Sequence, residues 1–267
     1  MKNHFIFPYP GNKRDEVEII YKELNENKLL NDDITTIVEP YAGTCAISYY
    51  ISLQHPMKYK YIINDNNELL IELYKIFSDI EKIKQFIITI NEMCFIDNVF
   101  IDKSKYSNIK KLKNIYGYFI KNKYYGIHPG IYPIGRKNNL LNIETVLEIP
   151  IINFLQTENI EFYNKDALGV ILENNNKHTL NILDPPYIFT DNANYAIPSF
   201  DIYKWYYENK QQPTEGGHTL LNFCFILEYI YVIELIFQND TIILYDKKYV
   251  GGRKRKVKHA FICKKLN

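Results

Sequence analysis

Four short apolar runs rich in β-branched residues, each ending in polar or Pro-containing sequence, constrain this chain more than any other feature: TTIVEP (35–40), YIIND (61–65), IEFYNKD (160–166) and LNILDPP (180–186). A strand that is apolar on both faces belongs in a parallel sheet covered by helices on either side. Helical patterns follow the first two runs, at 46–53 and 68–77, and alternating strands and helices predict a doubly wound α/β domain. Two later runs, TIILYD (241–246) and HAFICKK (259–265), read as a closing edge pair of strands. The stretch 220–237 is also apolar, but Asn222, Glu228 and Glu234 interrupt it. It reads as a buried amphipathic helix and not as a membrane span.

The rhythm breaks at 78–148. This section opens on a helical pattern (EKIKQFIITI), turns basic and Tyr-rich, and ends in YYGIHPGIYPIGR, whose Pro and Gly residues predict a turn-rich hairpin. We read it as a mainly helical inserted domain, with 1–77 and 149–267 forming the main domain. The segment 188–218 reads as a long polar loop.

An apolar fraction of 46 % is enough for a sizeable core and excludes a disordered chain. A net charge of +1 gives no argument for a nucleic-acid partner, but basic residues cluster at 103–113, 121–137 and 247–265, which suits a phosphate-gripping face. Cys45, Cys94, Cys224 and Cys263 are isolated from one another, so neither zinc nor a disulfide framework is expected. None of the six histidines sits in a motif; His4, His128 and His259, near basic segments, read as surface residues. The N-terminus lacks an apolar signal core, so an intracellular protein without a membrane partner is expected.

The chemistry concentrates at Asp184-Pro185-Pro186-Tyr187, directly after the fourth strand. Ligands of open α/β sheets sit beyond the carboxyl ends of the strands, where this tetrapeptide would lie. Two prolines remove N–H groups and fix φ, so the loop presents carbonyl acceptors on a stiff backbone. With the Asp184 carboxylate and the Tyr187 ring, it suits an aromatic amine. Two acceptors would draw on its N–H bonds and stabilise the positive charge that develops as the nitrogen attacks. A rigid strand-to-loop turn is the bland alternative. Glu39-Pro40-Tyr41-Ala42-Gly43 follows the first strand, and its Gly lets a ligand approach the backbone. Asp65 ends the second strand about 20 residues on, the usual spacing for an acid on ribose hydroxyls. Asp166 ends the third and is placed to accept from an adenine amine. A helix N-cap or a solvated loop residue is the alternative for each acid.

In this order the blocks resemble the Dam-like family of DNA adenine-N6 methyltransferases. The aromatic-x-Gly-x-Lys block is Phe7 to Lys13, the Glu-Pro-aromatic-x-Gly block Glu39 to Gly43, and Asn-Asp-x-Asn is Asn64 to Asn67. The end of the recognition insertion matches Asn122–Gly126 and Gly130–Arg136, and Asn164-Lys165-Asp166 and Asp184–Tyr187 complete the set. The resemblance covers about 5–190 and implies a Rossmann-like, S-adenosylmethionine-dependent methyltransferase with an inserted helical target-recognition domain. It implies transfer to the N6 amine of adenine in double-stranded DNA, by direct attack on a flipped-out base. It places Tyr9, Pro10, Gly11, Lys13, Glu39, Pro40, Tyr41, Ala42, Gly43, Asp65, Asp166, Ala167 and Asp184 at the cofactor. Asp184, Pro185, Pro186 and Tyr187 become the catalytic loop, and Asn122, Lys123 and Arg136 face DNA. A cognate restriction endonuclease is a candidate partner. Two departures stand out. Cys45 occupies a frequent second Gly and would crowd the cofactor, and Ala167 replaces an aromatic that stacks on its adenine. RNA adenine or cytosine-N4 methylation, and an inactive DNA-binding relative, are the competing readings.

Overall fold

A computed structural model of the chain describes residues 5–7, 9, 11–95, 113–125, 140–186, 202–211, 220–248 and 256–264. Seven strands form one sheet: β1 (Thr36–Glu39), β2 (Lys60–Asn64), β3 (Ile160–Tyr163), β4 (Thr179–Leu183), β5 (Phe223–Glu228), β6 (Asp240–Lys248) and β7 (Lys256–Lys264). Their spatial order is β3-β2-β1-β4-β5-β7-β6. The first five are parallel neighbours, and β7 runs antiparallel between β5 and β6. All six strands expected from sequence are present. The seventh, β5, lies where a helix was expected. FCFILE is buried at its first five positions, which a central strand requires, and the polar residues that suggested an amphipathic helix lie at or beyond its ends. A short helix, α10 (Tyr231–Ile236), follows it.

Alternate residues of each central strand feed opposite cores, as the two-residue period of a strand dictates. Leu180 and Ile182 of β4 join the larger core, with Cys224, Ile226, Phe261 and Cys263. Helices α1 (Val17–Glu26), α2 (Ala46–Gln54) and α3 (Glu68–Phe77) cover that face. Leu183, Phe223, Phe225, Leu227 and Ile262 turn the other way, with Ile171 of α8 (Ala167–Glu173) and Tyr203 and Tyr206 of α9 (Ile202–Gln211). Helix α9 falls inside the segment read as a loop. Ile202, Tyr203 and Tyr206 place an apolar stripe on the sheet, which outweighs the polar composition around it.

Within 78–148 the described elements are helices: α4 (Ile80–Phe95), α5 (Ile115–Ile120), continued by a π turn at Lys121–Tyr125, and α6 (Ile143–Leu147). Helix α7 (Pro150–Leu155) leads back to β3. Ile83, Phe86, Ile87, Ile90, Phe119 and Val146 share the larger core with the strands, so packing is continuous across residue 78. The expected hairpin at 124–136 lies mostly outside the described residues. Four helices open on an Asn or Asp cap that accepts from the third backbone N–H beyond it: Asn67 from Leu70, Asn114 from Gly117, Asn142 from Thr145 and Asp166 from Gly169. Such caps are worth about 1 kcal/mol each.

Candidate active site

The strand order reverses between β1 and β4, so the crevice beyond their carboxyl ends is the switch point at which open α/β sheets bind ligands. Glu39 ends β1, and Asp184 follows β4 directly. The loops around them are held by hydrogen bonds that converge on Asn64, at the end of β2. Its amide donates to the carbonyls of Pro40 (2.9 Å) and Lys165 (3.1 Å), and its Oδ1 accepts from Lys165 N (2.9 Å). One fully buried side chain thus ties three strand ends together. The Asn-Asp-x-Asn block was legible in sequence, but this bracing role was not.

Asp65 accepts from Gly43 N and Asn67 N, both at 2.9 Å. Its carboxylate therefore locks the Gly43 turn against the second strand, whatever else it binds. Gly43 has a φ of +50°, and a Cβ there would lie 3.5 Å from the Tyr9 ring. The contact is tolerable, but the backbone conformation is not one that Ala adopts cheaply. Gly43→Ala should cost about 1 kcal/mol. In a chain of this size that lowers the thermal unfolding midpoint by about 2–4 °C. An unchanged midpoint in a melting experiment would show that the turn relaxes without cost.

Cys45 also takes left-handed backbone, with a φ of 54°. Its side chain is fully buried in the larger core, and burial pushes its thiol well up. The Glu39 and Asp65 carboxylates act on the buried thiol, so Cys45 lies close beneath the crevice. Asp166 caps α8 through Gly169 N (3.2 Å), the structural role weighed for it in sequence, and Ala167 opens that helix. Burial first, and then the nearby Asp166 charge, hold the Tyr41 phenol above its ordinary range, so the Glu39–Gly43 and Asn164–Asp166 blocks approach each other.

The closest meeting of motif blocks is an ion pair: Lys13 Nζ lies 2.5 Å from Asp184 Oδ2. The Lys13 side chain is 4 % exposed and that of Asp184 18 %. The same ammonium donates to Gly11 O (3.1 Å), so Lys13 links the N-terminal block to the loop after β4. Burial pushes the Asp184 carboxyl above its usual range while Lys13 pulls it back. Glu39, fully buried and accepting from Ser48 N at 2.5 Å, is pushed up to about 7 by burial. Pro185 is buried, and Tyr203 of α9 donates to Pro186 O (3.1 Å), bracing the turn. Tyr203 carried no sequence signal as a site residue. Tyr187, Pro10 and Arg136 lie outside the described residues.

Two of the residues expected to face DNA are described. Lys123 donates its ammonium to Ile6 O (2.8 Å), and burial lowers its pKa. Asn122 donates to Tyr118 O within its own helix (2.8 Å). Both side chains are half-buried and carry a hydrogen bond within the chain. Two expectations are corrected on β6 and β7. Lys247, counted in the C-terminal basic cluster, is only 10 % exposed and pairs with Glu16. His259, read as a surface histidine, is fully buried, its Nδ1 lying 2.6 Å from Glu16 Oε2. Hydrogen bonds join Glu16 to Tyr245 and Lys247, 229 and 231 positions away, which no local pattern could have revealed.

Comparison with known proteins bears on the first part of the chain. No curated protein matches the chain by sequence. Among solved structures, one titled "Putative methyltransferase yhhF from Escherichia coli" aligns at a TM-score of 0.39 and 10 % identity, covering 97 % of this chain and 91 % of that one. This likeness is too distant to carry an argument about function. The family model described as D12 class N6 adenine-specific DNA methyltransferase matches residues 9–125, a stretch that contains Lys13, the Glu39–Gly43 turn and Asp65. Over residues 9–125, then, the chain is similar to the Dam-like, D12 class of N6 adenine-specific DNA methyltransferases.

Proposed function

We propose that this methyltransferase moves a methyl group from S-adenosylmethionine to the exocyclic N6 amine of adenine in duplex DNA. The observation that carries the reading is Asp184 at the switch point of the sheet, one carboxylate oxygen held by buried Lys13. A carboxylate fixed in this way presents its other oxygen, Oδ1, to an incoming N–H donor. With the Pro185 carbonyl it would accept hydrogen bonds from both amine N–H groups and stabilise the positive charge that develops on the nitrogen. The nitrogen loses one proton once the methyl is transferred and S-adenosylhomocysteine is left.

The crevice suits the cofactor by its chemistry. Glu39, Asp65 and Asp166 supply acceptors for an ammonium or for hydroxyls, Tyr9 and Tyr41 supply aromatic faces, and the Gly43 turn lets a ligand approach the backbone. Bound there, S-adenosylmethionine supplies an electrophilic methyl group on a sulfonium. The protein's part is to hold the amine in line with that methyl and to exclude water. A duplex must release the base to reach such a site, and the section 78–148 is the part of the chain we assign to gripping it. The setting is intracellular, at DNA. Among the described residues no helix is long and apolar enough to cross a membrane.

The test is transfer of labelled methyl from S-adenosylmethionine to unmethylated duplex DNA, single-stranded DNA and RNA, followed by nucleoside mass analysis. N6-methyldeoxyadenosine from the parent, absent with Asp184→Ala, is the expected result. Labelled RNA or N4-methylcytosine as the main product would overturn the substrate. A folded parent that binds the cofactor and labels nothing would overturn the reaction.

A further inference from the structure

Behind the Lys13–Asp184 pair lies a second cluster of charge that the reaction as described does not use. Glu16 follows Lys13 by one turn, and its N–H donates to Lys13 O (2.8 Å). Its carboxylate is almost fully buried, at 3 % exposure, and meets three side chains of the β6–β7 hairpin: Lys247, Tyr245 (2.9 Å) and His259 (2.6 Å). A buried carboxylate needs such partners to remain ionised. The contacts bring strands at the far end of the sheet to bear on the N-terminal segment that carries Lys13.

We propose that Glu16, clamped by Lys247, Tyr245 and His259, is a positioning residue that keeps Lys13 aligned on Asp184 and sets the charge balance at the candidate active carboxylate. This inference rests on the proposed function. Charges alternate through the cluster, from Asp184 to Lys13, to Glu16 and to Lys247. Remove Glu16, and two buried ammonium groups compete for one carboxylate, so Asp184 becomes a poorer acceptor for an amine. Remove Lys247, and Glu16 draws Lys13 away from Asp184. Remove both, and Lys13–Asp184 remains a balanced pair.

Among the described residues, the charged and titratable groups acting on Asp184 are Lys13 from the N-terminal segment, Glu16 from the start of α1, Glu39 from β1, Cys224 from β5 and Lys247 from β6. Glu16 raises the Asp184 pKa and Lys247 lowers it, so the two single variants have opposite signatures.

The test is the pH profile of methyl transfer at saturating cofactor and DNA for Glu16→Gln, Lys247→Met and the double variant. Each single variant should lower the plateau turnover by about tenfold, the scale on which an orienting shell acts. The acid limb should move to lower pH in Glu16→Gln and to higher pH in Lys247→Met. The double variant should return both plateau and limb toward the parent. Limbs that stay put or move the same way, or a double variant no better than the singles, would overturn the inference. A carboxyl carbon-13 titration of Asp184, assigned with Asp184→Asn, reads the same opposite shifts without any activity. A parent that transfers no methyl group would thus sink the proposed function while the titration still decides the role of Glu16. Should Glu16→Gln fail to fold, the upward shift in Lys247→Met and its reversal in the double variant, or their absence, decide the matter.

Discussion

Asp184→Asn should lower turnover for methyl transfer by about a thousandfold, with the dissociation constant for S-adenosylmethionine changing by less than about threefold. The substitution preserves shape and leaves a carbonyl oxygen, so what it removes is charge. A neutral amide can accept one N–H, but it stabilises the positive charge developing on the amine far less than a carboxylate does. A thousandfold corresponds to about 4 kcal/mol of transition-state stabilisation, the upper end of what one charged group contributes at a preorganised site. Single-turnover kinetics at saturating cofactor, beside calorimetric titration of the cofactor, separate the two quantities. Equal loss of binding and turnover would mean that Asp184 holds the cofactor rather than the target base.

The same substitution leaves Lys13 buried without its carboxylate. Breaking a buried pair by removing one partner typically costs about 3–5 kcal/mol, because the surviving charge stays desolvated. The loss at this site belongs near the lower end, since Asp184 retains 18 % exposure. Lys13→Met combined with Asp184→Asn should recover much of that stability and none of the turnover. Stability and chemistry thereby come apart in two variants, so a dead Asp184→Asn enzyme cannot be dismissed as an unfolded one.

How far the sequence reveals this molecule depends on the range of the interactions involved. The runs at 35–40, 61–65, 160–166 and 180–186 are visible because a buried parallel strand must be apolar on both faces, a local requirement. Their order along the chain, with the right-handed crossovers that parallel strands impose, leaves few possible sheets. β5 was misread because length and a few polar residues favoured a helix where position in the sheet decides for a strand. The motif blocks pointed to the crevice, but not to what its residues contact. Asp65 and Asp166 already serve the fold as a turn lock and a helix cap, and Asn64 turned out to brace three strand ends. Lys123 illustrates the converse. A basic residue in a basic run reads as exposed, yet a backbone carbonyl at Ile6 claims its ammonium. Glu16, Lys247 and His259 were invisible for a simpler reason. Their partnership spans most of the chain, and pairing across such a distance leaves no periodicity to read.

Glu16→Gln should destabilise the protein by about 3 kcal/mol at neutral pH, an effect that should largely vanish toward pH 2. Burial alone would raise the Glu16 carboxyl, but the hydrogen bond from His259 and the charges of Lys13 and Lys247 outweigh it and hold the group at about 2, against 4.5 when free. That gap corresponds to about 3 kcal/mol. The sign follows from linkage: an acid whose pKa is lower in the folded state stabilises the fold fully above 4.5. That contribution is lost as pH falls from 4.5 toward 2, where the folded state must also take up the proton. Glu39 works in the opposite sense, since its folded value of about 7 means that stability declines as pH rises from 4.5 through 7. Parent and variant share Glu39, so its contribution cancels in their difference. Urea unfolding of both proteins at pH 7, 5, 4 and 3 gives that difference directly. A gap that narrows steadily below pH 4.5 identifies the ionised Glu16 carboxylate, clamped by Lys247 and His259, as its source. A gap that stays constant would instead assign the loss to packing of the side chain, and the charge cluster behind Asp184 would then have no energetic hold on the fold.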